Sequence, residues 1–143
     1  MNHYTVDILT PNKVVARNVP AESLLVQTTK GQINILGDHT HIVTSLVTGP
    51  LTVFGANEDP DRFFSVTTGI CKVLDGKVVV LADAAEESKD INIERARAAV
   101  VHAQEMLNEK DGLSDVEVEQ YRAKLERAQL RVQMYEFVRS RQM

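Results

Sequence analysis

The sequence predicts a two-part chain: an antiparallel β-sandwich head over residues 1–85, then an antiparallel two-helix hairpin over residues 90–143. Three observations carry that prediction. Apolar residues recur at every second position through the first half, and at steps of three and four through the second. Clusters of Gly, Pro, Asn and Asp punctuate the first half at short intervals, as in all-β sandwiches and barrels.

Tyr4, Val6 and Ile8 share one face of a first strand, with Thr5 and Asp7 between them. Leu24, Val26 and Thr28 alternate in the same way, as do Ile33 with Ile35, Leu51 with Val53, and Phe64 with Val66. Turn formers stand between these runs at Pro11-Asn12, Lys30-Gly31, Gly49-Pro50 and the polar stretch 57–61. The sharpest local signal is Asp75-Gly76, set between apolar runs 70–74 and 77–81. A two-residue hairpin turn needs positive φ angles, and Asp-Gly supplies them. Residues 84–89 show no alternation and read as a linker.

Beyond the linker, Ile93, Ala96, Val100, Ala103 and Leu107 mark one face of a helix, with Asn92 as its N-cap. Lys110-Asp111-Gly112 ends it, and Gly112 suits a left-handed turn. Ser114-Asp115-Val116-Glu117 is a capping box, after which Val118, Tyr121, Leu125, Ala128, Val132 and Tyr135 form a second stripe. A loop this short forces the two helices antiparallel. The first seam is rich in Ala, each forgoing about 2 kcal/mol of burial relative to Leu, so the hairpin is marginal by itself.

Composition excludes several classes of function. With 43% apolar and 25% charged residues the chain can build a core, but Trp is absent and no aromatic platform for stacked bases appears. A net charge of −4 runs against a protein that coats nucleic acid. The single cysteine, Cys71, allows no intrachain disulfide and reads as a small buried hydrophobe. The start Met-Asn-His-Tyr has no signal-peptide pattern, and no apolar run approaches the roughly 20 residues that span a bilayer. A role at a membrane would therefore come through other proteins.

Four stretches carry a resemblance to a known family: Leu9-Thr10-Pro11-Asn12; residues 30–39, Lys-Gly-Gln-Ile-Asn-Ile-Leu-Gly-Asp-His; residues 78–85, Val-Val-Val-Leu-Ala-Asp-Ala-Ala; and Ile91-Asn92-Ile93-Glu94-Arg95-Ala96. In order and spacing they resemble the epsilon-chain family of F-type ATP synthases, called delta in mitochondria, over residues 4–139. The last stretch is similar to the family's Ile/Leu-Asp-x-x-Arg-Ala motif, with Asn92 in place of Asp. Gly37-Asp38-His39 stands where the family has Pro-Gly-His, and Thr67-Thr68-Gly69 where it has Ser-Gly-Gly.

The resemblance implies a non-catalytic rotor subunit at the foot of the central stalk. It would contact the gamma subunit, the membrane c ring and the αβ headpiece, on the cytoplasmic face of a bacterial inner membrane. Lys30, Gly31 and Gln32 match the segment that faces the c ring, and His39 matches the region near gamma. Gln32 replaces a family Glu, which weakens an ion pair with the ring. The tail is expected to brake ATP hydrolysis. No cofactor is required for that role. A regulatory ATP is implied by those members whose folded tail holds one, at positions matching Glu86, Asn92, Arg95, Arg127 and Arg131. Arg127 and Arg131, four apart on one helix face, fit either a phosphate clamp or an ordinary solvated face.

Two rival readings weigh less. His39-Thr40-His41 could ligate a metal from one strand, but Ile42, Val43, Thr44, Ser45 and Leu46 follow where such sites recruit a carboxylate. Surface or loop histidines are the simpler account. No nucleophile motif, Gly-rich phosphate loop or acid–base carboxylate pair stands out, so no catalytic residue is expected. A stand-alone nucleotide-sensing module is the alternative to a rotor subunit.

Overall fold

A computed structural model describes residues 3–37 and 41–141, with only the backbone described at Lys110. The chain divides into two compact units, Met1–Ser88 and Lys89–Met143. In the first, described strands are β1 (Tyr4–Leu9), β2 (Val14–Thr28), β3 (Gly31–Leu36), β4 (Ile42–Leu46), β5 (Gly49–Gly55), β6 (Arg62–Val66), β7 (Gly69–Leu74), β8 (Lys77–Ala82) and β9 (Ala85–Glu87).

Strand β2 is long enough to serve both layers. Its first half pairs with β1, its second with β3 and β5. One layer runs β4-β7-β8-β1, the other β3-β2-β5-β6-β9, and the pairing is antiparallel except for β1 with β8. The alternating residues do what a period of two requires: Val6, Ile8, Leu24, Val26, Val53, Phe64, Val78 and Val80 fill the space between the layers. Cys71 is buried with them, and burial pushes its thiol up to about 12. At the β7–β8 turn, Asp75 (φ 40°) and Gly76 (φ 76°) both adopt positive φ.

Three features depart from the sequence reading. The first half of β2 went unrecognised because a bulge at Arg17-Asn18 breaks its period: Val19 faces Val6, yet Ala16 faces Ile8. Residues 85–87, read as linker, form β9 on the edge of β6, so the head continues past residue 85. This strand is specified by a distant partner: Arg62 donates to both carboxylate oxygens of Glu87, at 2.9 and 2.7 Å.

The bulge is fixed by charge. The Asn18 amide, held at φ 54°, donates to Asp7 Oδ1 at 2.7 Å, and Lys77 Nζ lies 3.1 Å from Asp7 Oδ2. Burial raises the Asp7 pKa, but the Asn18 amide, the Lys77 ammonium and Arg17 outweigh it, and the net shift is downward. A depressed carboxylate stabilises above its unfolded pKa of about 4, and that contribution fades as pH falls through the folded value. Asp7→Asn should cost about 1–2 kcal/mol at pH 7, at the low end for a charged hydrogen bond because Lys77 is partly exposed. Denaturant midpoints of the two proteins should converge as pH falls below the usual carboxylate range.

In the second unit, α1 (Ile93–Asn108) and α2 (Asp115–Arg141) are joined by a 3₁₀ turn at Lys110–Gly112. Asn92 Oδ1 accepts the Arg95 amide at 3.0 Å, and Ser114 and Glu117 exchange bonds of 3.2 Å as a capping box. The third departure is Gly112, which stays out of the left-handed region because that 3₁₀ turn, not a glycine cap, closes the helix. Ala96, Ala103 and Ala128 are buried on the expected stripes, and Leu130 and Met134 are buried off them.

Candidate functional site

The described residues singled out from sequence for binding are exposed or half-buried, so the candidate sites are surfaces. Among the described residues no three His, Cys, Asp or Glu side chains gather where a metal could be held. His39 and Thr40 lie outside the described residues. The exposed His41 places Nε2 3.0 Å from Asp75 Oδ1, across the turn that links β7 and β8.

The five nucleotide positions fall in both units. Glu86 sits on β9 in the head, its carbonyl accepting from Ser65 Oγ at 3.5 Å. In the tail, Asn92 and Arg95 are joined, but through the Arg95 amide and not its guanidinium. Arg127 is exposed and Arg131 half-buried, one turn apart on α2. Around them, Arg122 lies 3.3 Å from Glu119, and Lys124 stands 5.0 Å over the Tyr121 ring.

Lys30, Gly31 and Gln32 form the exposed tip between β2 and β3. Gly31 adopts φ 106°, Thr28 Oγ1 donates to its carbonyl at 2.6 Å, and Gln27 Nε2 donates to Gln32 Oε1 at 2.8 Å. The tip is thus a braced turn, with Gln32 already engaged by a neighbour.

A further surface was missed. On the outer face of β4, β7 and β8, Val43 is 68% exposed, Leu74 49%, Ile70 42% and Leu81 41%. The register sets Val43 beside Lys72 and Ile70 beside Leu81, so the apolar side chains form one strip around a lysine. The signal in the sequence was the unbroken run Val78-Val79-Val80-Leu81, which is apolar on both faces of its strand. Exposed apolar residues grouped in this way mark interaction surfaces.

Two family models match in order: the β-sandwich domain of the ATP synthase delta/epsilon chain over residues 3–88, and its long α-helix domain over residues 89–136. The chain belongs to the ATP synthase delta/epsilon family. Among curated members, the ATP synthase epsilon chain of Macrococcus caseolyticus is 31% identical over 96% of this chain and 99% of its own length. That of Staphylococcus aureus is 33% identical over 95% of this chain and 98% of its own. A chain of the Euglena gracilis mitochondrial ATP synthase, solved by cryo-electron microscopy with OSCP, F1 and c-ring, shares the fold at a TM-score of 0.65. The match covers 100% of this chain and 83% of that one at 15% identity. A central stalk/c-ring structure from Tetrahymena thermophila gives 0.51 over 62% of this chain and 69% of that one, at 19% identity.

The boundary between the two delta/epsilon domains falls between residues 88 and 89, at the end of the latched β9. In this family member the sandwich therefore includes Glu87, whose carboxylate is buried against Arg62.

Proposed function

We propose that this chain is a non-catalytic rotor subunit at the foot of the ATP synthase central stalk, coupling c-ring rotation to ATP synthesis in the αβ headpiece. The observation that carries this reading is the ordered match of both delta/epsilon domains over residues 3–136. No helix among the described residues is long and apolar enough to cross a membrane, so attachment would come through the complex. Bacterial relatives support a place on the cytoplasmic face of a bacterial inner membrane.

Two surfaces would divide the contacts. The strip of Val43, Ile70, Leu74 and Leu81 suits an apolar patch on the gamma subunit, while Lys30, Gly31 and Gln32 would face the polar loops of the c ring. His39 is assigned to the gamma side on family resemblance alone. Ile70→Asp should weaken co-purification with gamma by about tenfold or more, the effect of losing one well-packed anchor. Lys30→Glu should leave gamma binding intact and loosen only the c ring. If Ile70→Asp and Lys30→Glu both leave their partner bound as in the wild type, the surface assignment is wrong.

The tail would act as a brake on ATP hydrolysis, through the basic stretch of α2. ATP is the second reading, favoured by the one-turn spacing of Arg127 and Arg131. Asn92 lacks the family's negative charge, and its Oδ1 is committed to a backbone amide. Calorimetry on the isolated chain should therefore show weak or no ATP binding, altered by Asn92→Asp. Tight micromolar binding abolished by Arg127→Ala would establish the sensing role instead.

A further inference from the structure

The head's last strand before the tail is held by polar contacts. β9 is the outermost strand beside β6 and consists of Ala85, Glu86 and Glu87. Its one fully inward side chain is a carboxylate, which takes two bonds from Arg62, while the guanidinium lies 5.5 Å over the Phe64 ring. Just before it, the Thr67 amide donates to the Ala84 carbonyl at 2.9 Å, and the Ala84 amide donates to Thr67 Oγ1 at 2.7 Å. Just after it come the 3₁₀ turn Ser88–Asp90 and the cap of α1 at Asn92.

We propose that β9 is a detachable strap that sets the length of the tether between head and tail. Latched through Arg62 and Glu87, it is followed only by the 3₁₀ turn Ser88–Asp90 and the buried Ile91 before the cap of α1. Unlatched, it adds residues 84–87. Four extended residues reach about 14 Å, so release adds about that much to the distance the tail can travel from the sheet. The apolar core lies between the two layers and takes only Ala85 from the strap, partly buried. Opening therefore exposes little core and is a local event, separate from unfolding of the sandwich. The device rests on the head's own contacts and is independent of what the tail meets.

The test uses the full chain. Native-state trypsin cleavage after Lys89 reads strap opening, and amide hydrogen exchange reads its extent. Glu87→Gln should speed cleavage about tenfold or more, the rate equivalent of losing a charge-assisted pair, and speed exchange at residues 85–87 while β5 and β7 stay protected. Ser65→Cys with Glu86→Cys places two thiols at facing positions of β6 and β9. Their disulfide should slow cleavage below the wild-type rate, and reductant should restore it. Cys71, fully buried, takes no part in that exchange. The proposal fails if residues 85–87 exchange only together with β5, or if the disulfide leaves cleavage unchanged.

Discussion

A complex assembled with a chain ending at Lys89 should hydrolyse ATP faster than one carrying the full chain, on the order of three- to tenfold, while synthesis stays coupled. Such a change is a bias of roughly 0.6–1.4 kcal/mol, within reach of a tail whose helices bury only Ala96, Ala103, Ala128, Leu130 and Met134 among their described residues. Three of those five residues are alanines, which forfeit little burial when the helices part, so contacts elsewhere can compete for the tail. From Arg122 onward α2 carries six basic residues, Arg122, Lys124, Arg127, Arg131, Arg139 and Arg141, against Glu126 and Glu136. An acidic surface of the headpiece would attract that stretch, and salt would weaken the encounter. Arg127 is exposed and makes no hydrogen bond or ion pair among the described residues, which leaves its charge available. Arg127→Ala with Arg131→Ala should reproduce part of the rise. Hydrolysis rates unchanged by truncation at both low and high salt would make the tail structural.

Gly69→Ala should be among the most damaging small substitutions in the head. Gly69 opens β7 against the end of β8, and a Cβ there would lie 2.1 Å from the Leu81 carbonyl oxygen and 2.8 Å from Ala82 Cα. Both are backbone atoms of a paired strand, so no side chain can swing aside. We expect a loss of about 3 kcal/mol, the upper part of the usual overpacking range, and a fall in melting temperature of roughly 12–20 °C. Gly31→Ala is the control, since its Cβ meets open space and only the φ of 106° opposes it. That change should cost about 1 kcal/mol. Equal melting temperatures for the two variants would contradict the close approach of β7 and β8.

Much of this fold was legible because its signals are local. Val6 and Ile8, Leu24 and Val26, and Val78 and Val80 state their burial by alternation, and Asp75-Gly76 and Ser114-Glu117 declare a turn and a cap within four residues. What stayed hidden depends on distant partners. β9 has no apolar side chain larger than Ala and exists because Arg62 reaches Glu87. The first half of β2 hides behind a bulge whose conformation answers to Asp7 on another strand. Leu130 and Met134 fall outside the three-and-four series that marks the seam. The strip of Val43 and Ile70 escaped because alternation asks only which face is inward.

The parallel union of β1 and β8 also governs how the head is made. Thr5 pairs with Lys77 and Leu9 with Leu81, so β1 waits for β8, about 70 residues later in synthesis, before its second edge is satisfied. High contact order of this kind places folding on the order of milliseconds to seconds, and during synthesis β1 holds only its pairing with β2. The sheet of the nascent head therefore cannot be completed until Leu81 has emerged, however early its other strands pair.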